Sequence, residues 1–322
     1  MWRVRVESDP ITATRAMIDD FRVEPSALEA FAFRLSRPEC VLPDPDGSLW
    51  VSDQRGSLCH IDPQGRPRVV GSMGGAPNGF ARDPDGLFWI ADIEGGRVCR
   101  MSEEGLHQVV IDRIGDEPLG SAHFILCDSE GDLWLSVSTR TVPRSRALAE
   151  PVADGSVYRI RRRDPRQWSA AKAVATGLHF TNELRLDRDR RWLYAAETAL
   201  GCISRLPLDA AGRAGAAEVF GPAPFFPGAH VDGIVFDSAG NLWVTEIRRN
   251  AILVIDPAGE VRTVCEDPEG RFMRKPTSLC FAGPDLRTVI IGSLVDDHLK
   301  AFRAPVAGLP PVHWAWVRSR AA

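Results

Sequence analysis

The stretch PDPDGSLWVSD, Pro43 to Asp53, decides how the whole chain is read. A turn pair, Asp46-Gly47, leads into the apolar run Leu49-Trp50-Val51, which ends in a small residue and then an acidic one. The pattern returns. DPDGLFWIAD ends at Asp92, DSEGDLWLSV at Val137, DRDRRWLYAAE at Glu197 and DSAGNLWVTE at Glu246, and a degenerate copy, GPDLRTVIIGS, ends at Ser293. The first apolar residues of the six runs are Leu49, Phe88, Leu133, Leu193, Leu242 and Val289, at intervals of 39, 45, 60, 49 and 47 residues. A β-type repeat of roughly 40–50 residues is the trace that propeller blades leave in a sequence. After each copy but the last comes a second alternating run, such as GSLCHID, GRVCRMS or GSVYRIR. Short strands separated by turn signals at this spacing predict antiparallel sheets. Few windows show a 3.6-residue period, so helix evidence is weak. The expected fold is all-β: a six-bladed β-propeller of four-stranded antiparallel blades around a central channel.

Composition narrows the function classes. The chain has 322 residues, 44% of them hydrophobic, and a net charge of −4. That balance gives no electrostatic case for nucleic acid or an anionic membrane. No apolar run approaches the ~18 residues of a membrane span. The opening residues lack the apolar core of a signal peptide. Seven cysteines without a CxxC pair read as reduced core residues of a cytoplasmic protein. Residues 1–25 are expected to pack on or close the propeller, with WRVRV (Trp2 to Val6) alternating like an edge strand. Residues 26–306 form the propeller, and 307–322 a tail whose Trp314-Ala315-Trp316 caps a blade or meets a partner. The RIRRRDPR run at 159–166 reads as an exposed basic face. The expected partner is a small-molecule substrate, bound by a monomer or homodimer.

In a propeller the innermost strands line the channel, so equivalent positions converge whatever their separation in sequence. Counting back about ten residues from each apolar run gives Glu39, Asn78, His123, Asn182, Asp232 and, near Thr277, the sixth position. Asn78 in a PNG turn and Asp232 before Gly233 also read as plain turn residues. A shared register of two carboxylates, two amides and an imidazole argues for a site, because buried charges need partners or a metal. Asp, Glu and Asn oxygens suit a hard cation such as Ca²⁺. Two long loops are candidates for the walls of the mouth. Residues 138–154 carry Arg140, Arg144 and Arg146, and 221–230 carry Phe225, Phe226 and His230.

The Pro38-Glu39 pair, the Thr181-Asn182 pair and VDGIVFDSAGNLWV (Val231 to Val244) resemble the senescence-marker-protein/gluconolactonase family, over roughly residues 30–305. The resemblance implies a six-bladed propeller, a lactonase, and a divalent metal held by Glu39, Asn182 and Asp232, with Asp232 also the general base. Ca²⁺ is the ion the family implies. Asn78, His123, Arg140, Phe180, Glu183, Phe226 and His230 are the candidate substrate-binding residues. The chain departs from the family pattern at Glu39-Cys40-Val41, where E-G-P is usual, and at Thr181-Asn182-Glu183, where P-N-G is usual. A third departure is His123-Phe124, in place of Asn-Asp. An imidazole suits Zn²⁺ or another transition metal better than Ca²⁺. His123 therefore stands open to three roles: metal ligand, substrate-binding or acid/base group, or packed channel residue. The expected activity is metal-dependent opening of a cyclic ester. The alternatives are an organophosphate-type hydrolase, a metal-free strictosidine-synthase-like acid/base enzyme, and a non-catalytic binding propeller.

Overall fold

A computed structural model describes residues 18–161 and 173–321. WRVRV and most of the RIRRRDPR run lie outside them. The first strand, β1 (Glu29–Phe31), belongs to the last blade. Blade one is β2 (Val41–Pro43), β3 (Leu49–Ser52), β4 (Leu58–Ile61) and β5 (Pro67–Val70). Blade two is β6 (Pro77–Arg82), β7 (Phe88–Asp92), β8 (Arg97–Met101) and β9 (His107–Ile111). A small hairpin, β10 (Arg113–Ile114) and β11 (Glu117–Pro118), leads to blade three: β12 (Ala122–Cys127), β13 (Leu133–Val137), β14 (Gly155–Ile160) and β15 (Ala173–Leu178). Blade four is β16 (Thr181–Leu186), β17 (Trp192–Glu197), β18 (Cys202–Pro207) and β19 (Glu218–Val219). Blade five is β20 (Val231–Phe236), β21 (Leu242–Glu246), β22 (Ala251–Ile255) and β23 (Val261–Glu266). Blade six is β24 (Pro276–Ala282), β25 (Thr288–Ser293) and β26 (Leu299–Arg303), completed by β1. Glu29 pairs with Ala301 and Phe31 with Leu299, antiparallel. Closing the ring with a strand from the other end of the chain leaves blade six no open outer edge at β26.

The sequence repeat has a physical cause. In four blades the aspartate that opens the turn accepts a hydrogen bond from the indole six residues later. The pairs are Trp50–Asp44 at 3.1 Å, Trp89–Asp83 at 2.9 Å, Trp134–Asp128 at 3.0 Å and Trp243–Asp237 at 3.0 Å. In blades two, three and five the same carboxylate also takes the backbone N–H four residues on: Leu87, Asp132 and Asn241. One side chain thus closes the turn and satisfies the one polar atom of a large buried ring. Trp50 and Trp134 share a buried cluster with Phe80, Phe88 and Leu184, and Trp243 packs with Phe281. All seven cysteines are free and buried, as the sequence reading expects.

Helix is sparse but present. α1 (Ser145–Ala149) lies in the long blade-three loop, and α2 (His313–Ala321) ends the described chain. The WAW tripeptide lies in α2 and folds back on the propeller. Trp314 donates to the Pro43 carbonyl at 2.7 Å, and His313 sits 2.9 Å from the same oxygen. Leu309 to His313 close one end of a cavity of about 670 Å³ in the channel, lined by Cys40, Phe80, Phe124, Arg185, Val235 and Phe281. Each of these residues follows a ring position by one to four residues, so the ring lies toward the opposite end.

Candidate functional site at the channel ring

The ring positions occupy breaks in the strand ladders. Register slips fall between Pro77 and Phe80, Ala122 and Phe124, Thr181 and Leu184, Val231 and Ile234, and Pro276 and Leu279. Those breaks contain Asn78, His123, Asn182 with Glu183, Asp232 and Thr277. A bulge puts an extra residue on one strand and re-aims its side chain, which is how five inner strands turn polar groups into the channel. Glu39 stands just ahead of β2.

Hydroxyl residues near the ends of the second strands support the ring positions, at bulges in blades three and five. The Ser52 hydroxyl accepts from the Cys40 N–H at 2.9 Å, Ser136 from Phe124 at 3.0 Å and Thr245 from Gly233 at 2.7 Å. Each donor is the residue after a ring position. The acidic residues that follow tether the incoming loops. Asp53 accepts from the Ser36 N–H, Asp92 from Ala76, Glu197 from His179 and Glu246 from His230. Gly233 also allows neighbouring inner strands to meet, since a Cβ there would lie 2.4 Å from the Thr277 carbonyl oxygen.

Glu39, Asn78, His123, Asn182 and Asp232 are all buried, each no more than 5% exposed. Asn182 Nδ2 donates to Asp232 Oδ2 at 3.0 Å and to Thr198 Oγ1 at 3.1 Å. Asn78 Nδ2 donates to the His123 carbonyl at 3.0 Å and lies 3.4 Å from His123 Nδ1. Phe180 sets its ring edge-on to His123, with centroids 5.7 Å apart. The Arg37 guanidinium pairs with Glu39 and donates to Asn78 Oδ1 at 3.1 Å. Arg37 and Phe180 hold left-handed φ angles of 50° and 55°, each two residues before a ring position. Such angles in bulky residues cluster at functional sites.

Burial raises the pKa of Asp232 well above the usual carboxylate range, and the nearby Glu39 and Glu183 charges add to the effect. Burial also raises Glu39, against the pull of Arg37 and Arg144. His123 is pushed well below its ordinary value by burial and by Arg144 and Arg37, so its ring is neutral at physiological pH. Two carboxylates whose ionisation burial disfavours, beside an amide, make a set of oxygens suited to a hard cation. Among the described residues no three His, Cys, Asp or Glu side chains cluster as metal ligands, so the amide of Asn182 is needed to complete the set. Glu39, Asn182 and Asp232 fit a divalent ion on this chemistry, with Arg37 as the competing cation on Glu39.

Other candidates make contacts of their own. Glu183 is buried but turned to its own partners, Arg185 at 2.8 Å and the Ile234 N–H at 3.1 Å. Arg140 is exposed and donates to the Tyr158 hydroxyl at 2.8 Å, and no described contact joins it to the ring. His230 is half-buried against Arg248, and Phe226 lies under the Arg249 guanidinium at 3.8 Å. The arginines whose charges bear on the ring carboxylates are Arg37 and Arg144. Arg144 stood in the sequence within a loop suspected as a wall. Arg37 carried no signal beyond its place two residues before Glu39.

The family model of the SMP-30/Gluconolactonase/LRE-like region matches residues 38–295. The chain is 28% identical over 189 residues to a 6-deoxy-6-sulfogluconolactonase of Pseudomonas putida, covering 58% of this chain and 60% of that protein. It is 31% identical over 128 residues to the pentonolactonase XacC of Haloferax volcanii, covering 38% of this chain and 41% of that one. The matched part is thus less than two thirds of either relative's length. Among solved structures, a calcium-binding protein, regucalcin from Agrobacterium tumefaciens, superposes with a TM-score of 0.69 at 19% identity, over 87% of this chain and 95% of its own.

Proposed function

Since this chain belongs to the SMP-30/Gluconolactonase/LRE-like family, we propose that it is a lactone hydrolase whose reaction takes place at the channel ring. The observation that carries the reading is the pair of buried carboxylates, Glu39 and Asp232, set beside Asn182 and a neutral imidazole at one level of the channel. The names of the two lactonase relatives supply the bond to be broken. A divalent cation held by Glu39, Asn182 and Asp232 would polarise the lactone carbonyl as a Lewis acid. An all-oxygen set suits Ca²⁺, and entry of the His123 imidazole into it would suit Zn²⁺.

The chain's own groups do the rest. Once ionised, Asp232 accepts a proton from the attacking water. The water oxygen bonds to the carbonyl carbon, the ring C–O bond breaks, and the departing oxygen takes up the proton that Asp232 accepted, giving a hydroxy acid. His123, neutral and edge-packed on Phe180, serves as a hydrogen-bonding group that orients the substrate. A neutral imidazole is a poor proton donor, which argues against an imidazolium as the acid for the leaving oxygen. Asn182 fixes the orientation of Asp232 through the 3.0 Å contact.

The test is a panel of five- and six-membered lactones, a linear ester and a phosphotriester, followed by acid release. Preferential turnover of lactones is expected. Turnover of the phosphotriester with none of the lactones would reassign the bond.

A further inference from the structure

The blade-three loop does more than fill space beside the mouth. Its base is pinned by Asp154, whose carboxylate accepts from the Thr139 hydroxyl at 2.8 Å, the Thr141 hydroxyl at 2.9 Å and the Arg140 and Thr141 N–H groups at 3.0 Å. Its middle is pinned by Ala147 in α1, fully buried. Arg144 lies between these anchors and is half-buried. Among the described residues its guanidinium makes no ion pair or hydrogen bond. The charged groups around it are Glu39 and Asp232 in the ring, Arg37 beside them, and exposed Glu94 on the turn after β7. Burial draws its pKa down without discharging it, because a guanidinium stays protonated in proteins.

The charges at the mouth can be weighed. Glu183 is answered by Arg185, and His123 is neutral. Asp232 accepts from Asn182, and Arg37 is spent on Glu39 and Asn78. Arg144 is left as a pre-placed, partly desolvated cation with five donors and no described partner, and that is a recognition group for an anion. Resting on the lactone-hydrolase reading, we propose that Arg144 selects lactones bearing an ionised carboxylate or sulfonate substituent remote from the ring carbonyl.

The experiment compares glucono-δ-lactone with the same ring carrying a terminal carboxylate, on wild type, Arg144→Gln and Arg144→Lys, with circular dichroism to confirm folding. Wild type is expected to prefer the anionic lactone in kcat/KM. Arg144→Gln is expected to lower that preference about tenfold or more, chiefly through KM, with Arg144→Lys recovering part of it. No preference in wild type, or an unchanged preference in Arg144→Gln, overturns the proposal. If neither lactone is hydrolysed, the hydrolase reading has failed and the anion site is tested separately. Calorimetric titration with glucarate and gluconate then reads binding alone. Tighter binding of the diacid that is lost in Arg144→Gln supports the assignment, and equal affinities refute it.

Discussion

Replacing Thr245 by Val tests how the site is built. The side chains are nearly the same shape, so no cavity is created. What goes is the hydroxyl that accepts from the Gly233 N–H at 2.7 Å and returns toward the Gly233 carbonyl at 3.4 Å. Thr245 and Gly233 are fully enclosed, so water cannot replace the lost acceptor. An unsatisfied buried N–H costs about 1–3 kcal/mol. Urea unfolding should show that loss as a lower midpoint with an unchanged slope. The bulge also aims Asp232, so lactone turnover should fall further than the small loss of folded protein explains. Ser52→Ala and Ser136→Ala remove the equivalent hydroxyls beneath Cys40 and Phe124 and should show stability losses of the same kind. A Thr245→Val protein within ~0.3 kcal/mol of wild type would refute the claim that this hydroxyl holds the bulge.

Other outcomes follow from the same geometry. Asp232 keeps its proton to a pH well above its ordinary 3.8. Cation affinity should therefore rise with pH, about tenfold per unit while one proton is displaced, and level off above the raised pKa; calorimetry at several pH values that finds a flat affinity contradicts this. Without a cation, the unfolded chain releases that proton first, so Asp232 makes folded stability fall as pH rises through the same window. Denaturation across that range, with and without the cation, reads the effect. Burial pushes the thiols of Cys40 and Cys202 up to about 12 and Cys280 higher still, so native protein should resist a thiol reagent that labels all seven cysteines after unfolding. Gly233→Ala places a methyl 2.4 Å from a backbone oxygen of the next inner strand and should destabilise the channel strongly, read by Tm.

The blade order was legible because four of the six blades repeat one chemical device, the aspartate–indole turn, and its register carried over to the ring residues. Blade four shows the limit of this. Tyr194 pairs with Arg185 where four other blades place tryptophan, Trp192 sits two residues ahead of that position, and the eleven-residue count to Asn182 absorbs the extra turn residue. The bulges could not be read, because a bulge is a relation between two strands and leaves no mark in either alone. The serine and threonine at the ends of the second strands were visible only as small residues, and their role needs the partner strand. Arg140 and Arg144 looked alike in sequence. The fold separates them: Arg140 donates to Tyr158, whereas Arg144 is half-buried with its charge bearing on Glu39 and Asp232. The C-terminal helix is too short to show a period, and the Pro43 carbonyl that it caps lies far away in the chain.

The central claim is that Asp232 and Glu39 form a cation-dependent hydrolytic centre. The direct measurement is bound-metal content together with lactone turnover, for wild type and Asp232→Asn, before and after chelation. The account predicts about one equivalent of divalent ion in wild type, activity lost on chelation and restored by that ion, and a folded Asp232→Asn protein slowed ~100-fold or more. An Asp232→Asn protein with wild-type turnover, or wild-type turnover indifferent to chelation, would contradict it.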